Sequence, residues 1–114
     1  MCYVYILKCA GGSFYTGYTP DLCRRMRAHV AGRGGSYTHA HLPRELAGLW
    51  ECSSATAARR LEYAIKHRLS HREKEELLDH PETAAELFPQ LGEYEYRPRQ
   101  GITLQDCTEG RFDG

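Results

Sequence analysis

Residues 3–18 read Tyr3-Val4-Tyr5-Ile6-Leu7-Lys8-Cys9-Ala10-Gly11-Gly12-Ser13-Phe14-Tyr15-Thr16-Gly17-Tyr18. Tyr3 to Cys9 is rich in β-branched and aromatic side chains, which suit the pleated surface of a sheet. Ala10-Gly11-Gly12 is a turn signal. Ser13 to Tyr18 then reads as the returning strand of a hairpin. Gly17 sits near the end of that strand, where only a hydrogen fits if another group approaches closely.

Outward from the hairpin, Thr19-Pro20 reads as a helix start, a hydroxyl cap followed by proline at the first helical position. Leu22, Met26 and Val30 form its apolar stripe, and Gly32 ends it. Residues 33–45 read as a polar loop holding Arg33, Tyr37, Thr38, His39 and His41. Leu46 to Cys52 reads as a third strand. A second helix is expected over 54–68, capped by Ser53 or Ser54, with Ala58, Leu61 and Ile65 on its apolar face. A third is expected over 70–79 from Ser70. Beyond Pro81 the signals weaken. Residues 82–87 suit one more turn, and 89–114, with Pro98, Gly101 and Gly110, read as irregular. The order β-β-α-β-α-α predicts an α/β (α+β) sandwich: a small, mostly antiparallel three-stranded sheet flanked by helices. The expected division is a domain over 1–80 and an acidic, largely irregular extension over 81–114.

The 114 residues suffice for one domain with a modest core. No apolar run approaches the roughly 18 residues of a membrane span. The apolar N-terminal stretch is short and has no basic segment before it, so a cytoplasmic protein is expected. Five cysteines without a Cys-x-x-Cys pair suit reduced, packed thiols rather than a zinc site or disulfide framework. Net charge is zero, yet residues 1–74 hold 12 Lys and Arg against 5 Asp and Glu, and residues 75–114 hold 3 against 10. A basic body with an acidic tail suits a polyanion-binding domain carrying an appendage.

Several residues carry potential chemistry. Tyr5 and Tyr15 lie on paired strands, where hairpin pairing would bring them close. Arg25 and His29 are spaced i, i+4 on one helix face. A guanidinium there would grip a phosphate through parallel hydrogen bonds, and a solvated basic face shared with Arg24 and Arg27 is the alternative. Glu62, beside Leu61, is a candidate ligand for a hard cation, but from spacing alone an ion pair with Lys66, four residues on, is the favoured reading. His39 and His41 have no third ligand at metal-site spacing, so phosphate contact or plain exposure is expected.

Taken together, these positions resemble the GIY-YIG nuclease superfamily, and among its members the small stand-alone bacterial proteins. Tyr3-Val4-Tyr5 and Tyr15-Thr16-Gly17 stand where its two name motifs would be. Asp21 to His29 is similar to its Arg-x-x-x-His helix, and Ala57 to Lys66 to its metal-binding helix. Gly32-Arg33-Gly34-Gly35-Ser36-Tyr37-Thr38 is similar to the loop of those small members. The departures are Tyr3 for glycine, Val4 and Thr16 for isoleucine, and His39-Ala40-His41-Leu42-Pro43 where arginine tends to precede the proline.

The resemblance implies a DNA endonuclease using one divalent cation, Mg²⁺ or Mn²⁺, held by Glu62. Arg25 would bind the scissile phosphate. Tyr5 would be the general base, with Tyr15 orienting water or phosphate and His29 the rival base. A phenol titrates near 10 in water, so Tyr5 would need cationic neighbours or a proton relay. Arg24, Arg27, Arg33, Arg44, Arg59, Lys66 and Arg68 would contact the DNA backbone, with Tyr37 and Thr38 nearby and Tyr37 or Trp50 available to stack on a base. Single-stranded or branched DNA is the expected substrate, in repair, recombination or DNA uptake. The competing readings are a binding module that does not cut, and a regulatory or toxin-like protein whose acidic tail meets a protein partner.

Overall fold

Strand β1 (Cys2–Cys9) is buried along nearly all its length, and its side chains divide between two cores. Cys2, Val4 and Ile6 belong to one core and Tyr3, Tyr5, Leu7 and Cys9 to the other, the alternation that a strand imposes. A strand apolar on both sides needs cover on both, and helices supply it. The structure, a computed structural model, describes residues 1–88 and 96–112.

Strand β2 (Phe14–Thr19) returns antiparallel to β1, placing Gly17 opposite Tyr5. Strand β3 (Pro43–Cys52) pairs antiparallel on the other side of β1. The sheet has four strands, not the three expected: β4 (Tyr96–Pro98) pairs with β3, giving the order β2-β1-β3-β4. Three residues ending in proline are too few for alternation to register, and proline is tolerated on an edge strand.

Helix α1 (Leu22–Val30) packs on the Tyr5 face. Its cap is Asp21 rather than Thr19: the Asp21 carboxylate accepts from the Arg24 amide at 3.2 Å, while the Thr19 hydroxyl accepts from the Asp21 amide. The expected stripe is also corrected. Val30 is 45% exposed, and the buried face runs Leu22, Cys23, Met26, His29. Both 29 and 30 are neighbours of 26 on a helix, and the imidazole takes the inner position because hydrogen bonds await it there. The expected polar loop contains a short helix, α2 (Ser36–Ala40), and β3 begins at Pro43, earlier than expected.

Helix α3 (Ala55–Arg68), capped by Ser54, lays Ala57, Ala58, Leu61, Ala64 and Ile65 against the opposite core. Helix α4 (His71–Asp79) starts with a reciprocal Ser70–Glu73 capping box and adds Leu77. A 3-10 turn (Pro81–Thr83) and α5 (Ala84–Leu87) follow, close to the expected turn. In the stretch expected to be irregular, β4 is followed by α6 (Leu104–Thr108), started by a Thr103–Asp106 capping box. Cys107 on α6 is wholly buried in the Tyr5-side core, and the Cys23 thiol donates to the Phe112 carbonyl. The Arg99 amide donates to Leu49 O, and its guanidinium pairs with Glu51. The irregular structure expected over 89–95 and 113–114 lies outside the described residues. All five cysteines are buried free thiols, and no helix among the described residues is long and apolar enough to cross a membrane.

Trp50 is corrected as well. It is wholly buried, and its indole N–H donates to Pro81 O at 3.0 Å, so it cannot stack on a base. It is the only tryptophan, which makes the placement measurable. Native protein should emit blue-shifted fluorescence whose maximum stays put on DNA titration. Quenching by DNA with a red, solvent-type maximum would contradict this burial.

Candidate active site

Tyr5 projects from the middle of β1 towards α1 and is buried to its ring. Its hydroxyl fits because the residue opposite is Gly17: a Cβ there would lie 2.5 Å from the phenol oxygen. The close approach anticipated at Gly17 is thus made by Tyr5. The phenol oxygen lies 2.8 Å from His29 Nε2, and Arg25 Nε–H donates to it at 3.5 Å. Arg25 and His29 reach one atom because their i, i+4 spacing stacks them on one face of α1.

The other side of the imidazole is also occupied. His29 Nδ1 lies 2.8 Å from Thr38 Oγ1, and both residues are wholly buried. Gly34 packs against the same ring, where any Cβ would run into Nδ1. Its carbonyl accepts from Arg25 Nη2 at 2.7 Å. The loop from Gly34 to Thr38 therefore closes over His29 and steadies Arg25. Spacing did not reveal this role for Gly34 or Thr38. Thr38, expected to face the ligand, is turned inward onto the histidine.

Burial sets the charge states. It pushes the Tyr5 phenol up to about 12, against the downward pull of the Arg25 hydrogen bond. Burial, with Arg25 adding to it, brings His29 down to about 4. Bonding to Tyr5 raises Arg25 above its ordinary value. At neutral pH the phenol and imidazole are both uncharged beside a permanent cation.

Tyr15 joins this group to the other face. Its ring lies 5.3 Å from that of His29 and 6.4 Å from that of Tyr5. From α3, Lys66 Nζ stands 5.6 Å from the Tyr15 centroid and 3.8 Å from Glu62 Oε1. Glu62 is close enough for its charge to raise Tyr5. Its side chain is 19% exposed, so solvent reaches the carboxylate. Among the described residues no cluster of three or more His, Cys, Asp or Glu could hold a metal. One accessible carboxylate, with water and phosphate oxygens completing the shell, is a donor set that fits a hard cation such as Mg²⁺ and not a zinc-type cage.

Of the basic residues expected to meet the DNA backbone, Arg24, Arg33, Arg44, Arg59 and Arg68 are exposed. Arg27 is exposed, but its guanidinium also donates to Cys107 O at 3.4 Å. Tyr37 is 38% exposed and stacks between Tyr15 and His41, with centroids 5.8 and 4.3 Å away. His39 and His41 are exposed and bond the backbone carbonyls of Gly32 and Tyr37 through Nδ1.

The His29 environment predicts a pH signature. Unfolded histidine titrates near 6.5, and folded His29 near 4. Between these values the unfolded chain binds more protons. This contribution to stability is therefore complete above about pH 6.5 and lost as pH falls towards 4, on the order of 3 kcal/mol. Urea denaturation of wild type and His29→Gln across that range should show a component confined to wild type. Parallel pH dependences would mean that His29 is not held neutral by the fold.

The profile of the family described as "GIY-YIG catalytic domain" matches residues 1–76. A UPF0213 protein of Halalkalibacterium halodurans is 49% identical over 76 residues, 67% of this chain and 80% of the relative. Another, from Halobacterium salinarum, is 43% identical over 77 residues, 68% of this chain and 99% of the relative. The solution NMR structure of a UPF0213 protein from Bacillus halodurans, at 43% identity, covers 75% of this chain and 94% of its own, with a TM-score of 0.46. The match spans two thirds of this sequence, the stretch that holds the tyrosine hairpin, α1 and α3, and the chain belongs to the GIY-YIG catalytic domain family.

Proposed function

We propose that this chain is a divalent-metal-dependent DNA endonuclease that hydrolyses phosphodiester bonds. The observation that carries the reading is one buried phenol oxygen, on Tyr5, shared by an uncharged imidazole and a guanidinium. Phosphodiester hydrolysis needs a proton taken from water and charge stabilised on phosphate. Tyr5 takes the water proton as its own proton passes to His29 Nε2. The water oxygen bonds to phosphorus, and the bond to the leaving 3′ oxygen breaks. Arg25, held by Tyr5 and Gly34, stabilises the charge on the phosphate. The relay answers the high phenol pKa: Tyr5 need not exist as phenolate before the reaction. It also joins the two candidate bases into one device. Glu62 would hold the cation, Mg²⁺ or Mn²⁺, which supplies Lewis acidity for the phosphate and the leaving oxygen. Tyr15 orients the water or phosphate.

Exposed Arg24, Arg27, Arg33, Arg44 and Arg59, with Lys66, would meet the DNA backbone and make binding salt-dependent. The stack His41–Tyr37–Tyr15 supports a single-stranded or branched substrate, because unpaired bases extend such a stack and paired ones do not. The setting we assign is cytoplasmic DNA repair, recombination or uptake. Asp106 and Glu109 pair with Arg111 in their own segment, which favours a structural use of that segment over screening of the basic body.

A cleavage panel tests this: single-stranded, duplex, flapped and four-way DNA, and RNA, with Mg²⁺, Mn²⁺ or chelator. Chelation should abolish cutting. Glu62→Ala and Arg25→Ala should each lower the rate by about 100-fold or more while unfolding normally. Equal cutting of duplex and single strands would remove the substrate preference. DNA binding without cleavage under either metal would reduce the chain to a binding module.

A further inference from the structure

Thr38 lies outside the tyrosine, arginine and glutamate positions that carry the chemistry, yet its hydroxyl is wholly buried and set against a ring nitrogen of the relay. We infer that Thr38 is a positioning residue that fixes the tautomer of His29, keeping the proton on Nδ1 so that Nε2 is free to receive the proton of Tyr5. This rests on the relay just described.

Each ring nitrogen of His29 faces one oxygen, so the relay fixes both donor roles at once. Arg25 has only N–H groups and no acceptor, so its contact with the Tyr5 oxygen is a donation into it. The relay sends the phenol's own proton to the ring nitrogen 2.8 Å away, which must then be the acceptor. Nε2 then carries a lone pair, and in a neutral imidazole the proton must sit on Nδ1. The atom facing Nδ1 at 2.8 Å is Thr38 Oγ1, which in this tautomer accepts. In the opposite arrangement Thr38 donates, and Nε2–H and Arg25 both donate into the phenol oxygen. Nε2 would then be closed to the Tyr5 proton.

The same acceptor serves after the transfer. Imidazolium donates from both nitrogens, to Tyr5 oxygen and to Thr38 Oγ1, so no hydrogen-bond partner changes during the step. A carboxylate in this position would hold the ring more basic and charge it early. A hydroxyl orients the ring without that effect. The surroundings fit such a fixed orientation. Gly34 permits the loop to touch the ring, and Thr38 follows it by four residues, on α2. The rings of Tyr5 and Tyr15 meet the imidazole edge-on at 5.5 and 5.3 Å.

The experiment compares full-length wild type, Thr38→Val and Thr38→Ser. Nitrogen-15 NMR of the imidazoles, with His29 identified by His29→Gln, reads the tautomer. Cleavage of single-stranded DNA with Mn²⁺ gives kcat and KM. Wild type should show His29 protonated on Nδ1. Thr38→Val should move that proton to Nε2 and lower kcat by about 100-fold with KM unchanged, whereas Thr38→Ser should keep the tautomer and stay within about 5-fold of wild type. Wild type protonated on Nε2, or Thr38→Val with unaltered tautomer or rate, would overturn the assignment. If Thr38→Val does not fold, wild type and Thr38→Ser still decide it by tautomer. The NMR signal does not require DNA to be cut, so failure of the nuclease reading and failure of the Thr38 assignment are told apart.

Discussion

A phenol hydroxyl placed in the middle of a buried strand must find partners inside the protein, because unmet buried polar groups cost a large share of a small domain's stability. Tyr5 poses that demand on β1. His29 meets it, and being buried itself needs a second partner, which Thr38 supplies. One polar obligation thus reaches from strand to α1 to α2. Gly17 and Gly34 are part of the same solution, since each clears the space in which a ring of this chain must lie. Elsewhere most of the core is apolar and would accept exchanges of similar volume, Trp50 with its bond to Pro81 O apart. Along this line it would not.

The hairpin brings chemistry from opposite sides of the sheet to one place. α1 covers the Tyr5 face and α3 covers the Val4–Ile6 face. They converge at β2, an edge of the four-stranded sheet, where Tyr15 touches His29 and lies under Lys66. The arrangement separates functions by environment. Tyr5 and His29 are buried and uncharged, while the Glu62 carboxylate on α3 remains accessible to solvent. A single strand with tyrosines on both sides of a turn would not achieve this, since neither helix alone holds the whole set.

What was legible in the chain followed from periodicity and caps. The hairpin pairing, the α3 face and the Ser70 start of α4 are local patterns that packing reinforces. The i, i+4 placement of Arg25 and His29 was equally readable. The inward role of Thr38 was not, because it depends on how a glycine-rich loop folds back over nine residues of sequence separation. Val30 and His29 compete for one position, and apolar periodicity favours the wrong one. Hydrogen bonds from distant residues settle it. Trp50 read as a stacking side chain because its partner, Pro81 O, lies 31 residues away. β4 was invisible because its three residues gain their pairing from β3, not from their own pattern.

The edge-on contact of Phe112 with Tyr3, 6.3 Å between centroids, ties the last described residue to almost the first. Cys23 and Arg27 on α1 bond the same late segment, at Phe112 and Cys107. During vectorial synthesis the hairpin, α1 and α3 leave the ribosome with the Tyr5 side of their sheet covered by α1 but not yet by the late segment. That cover is completed only once residue 112 has emerged. The loop to be closed spans nearly the whole chain, which makes the step entropically late and slow. Until then the nascent protein shows an apolar face to its surroundings, the kind of surface on which chaperones act.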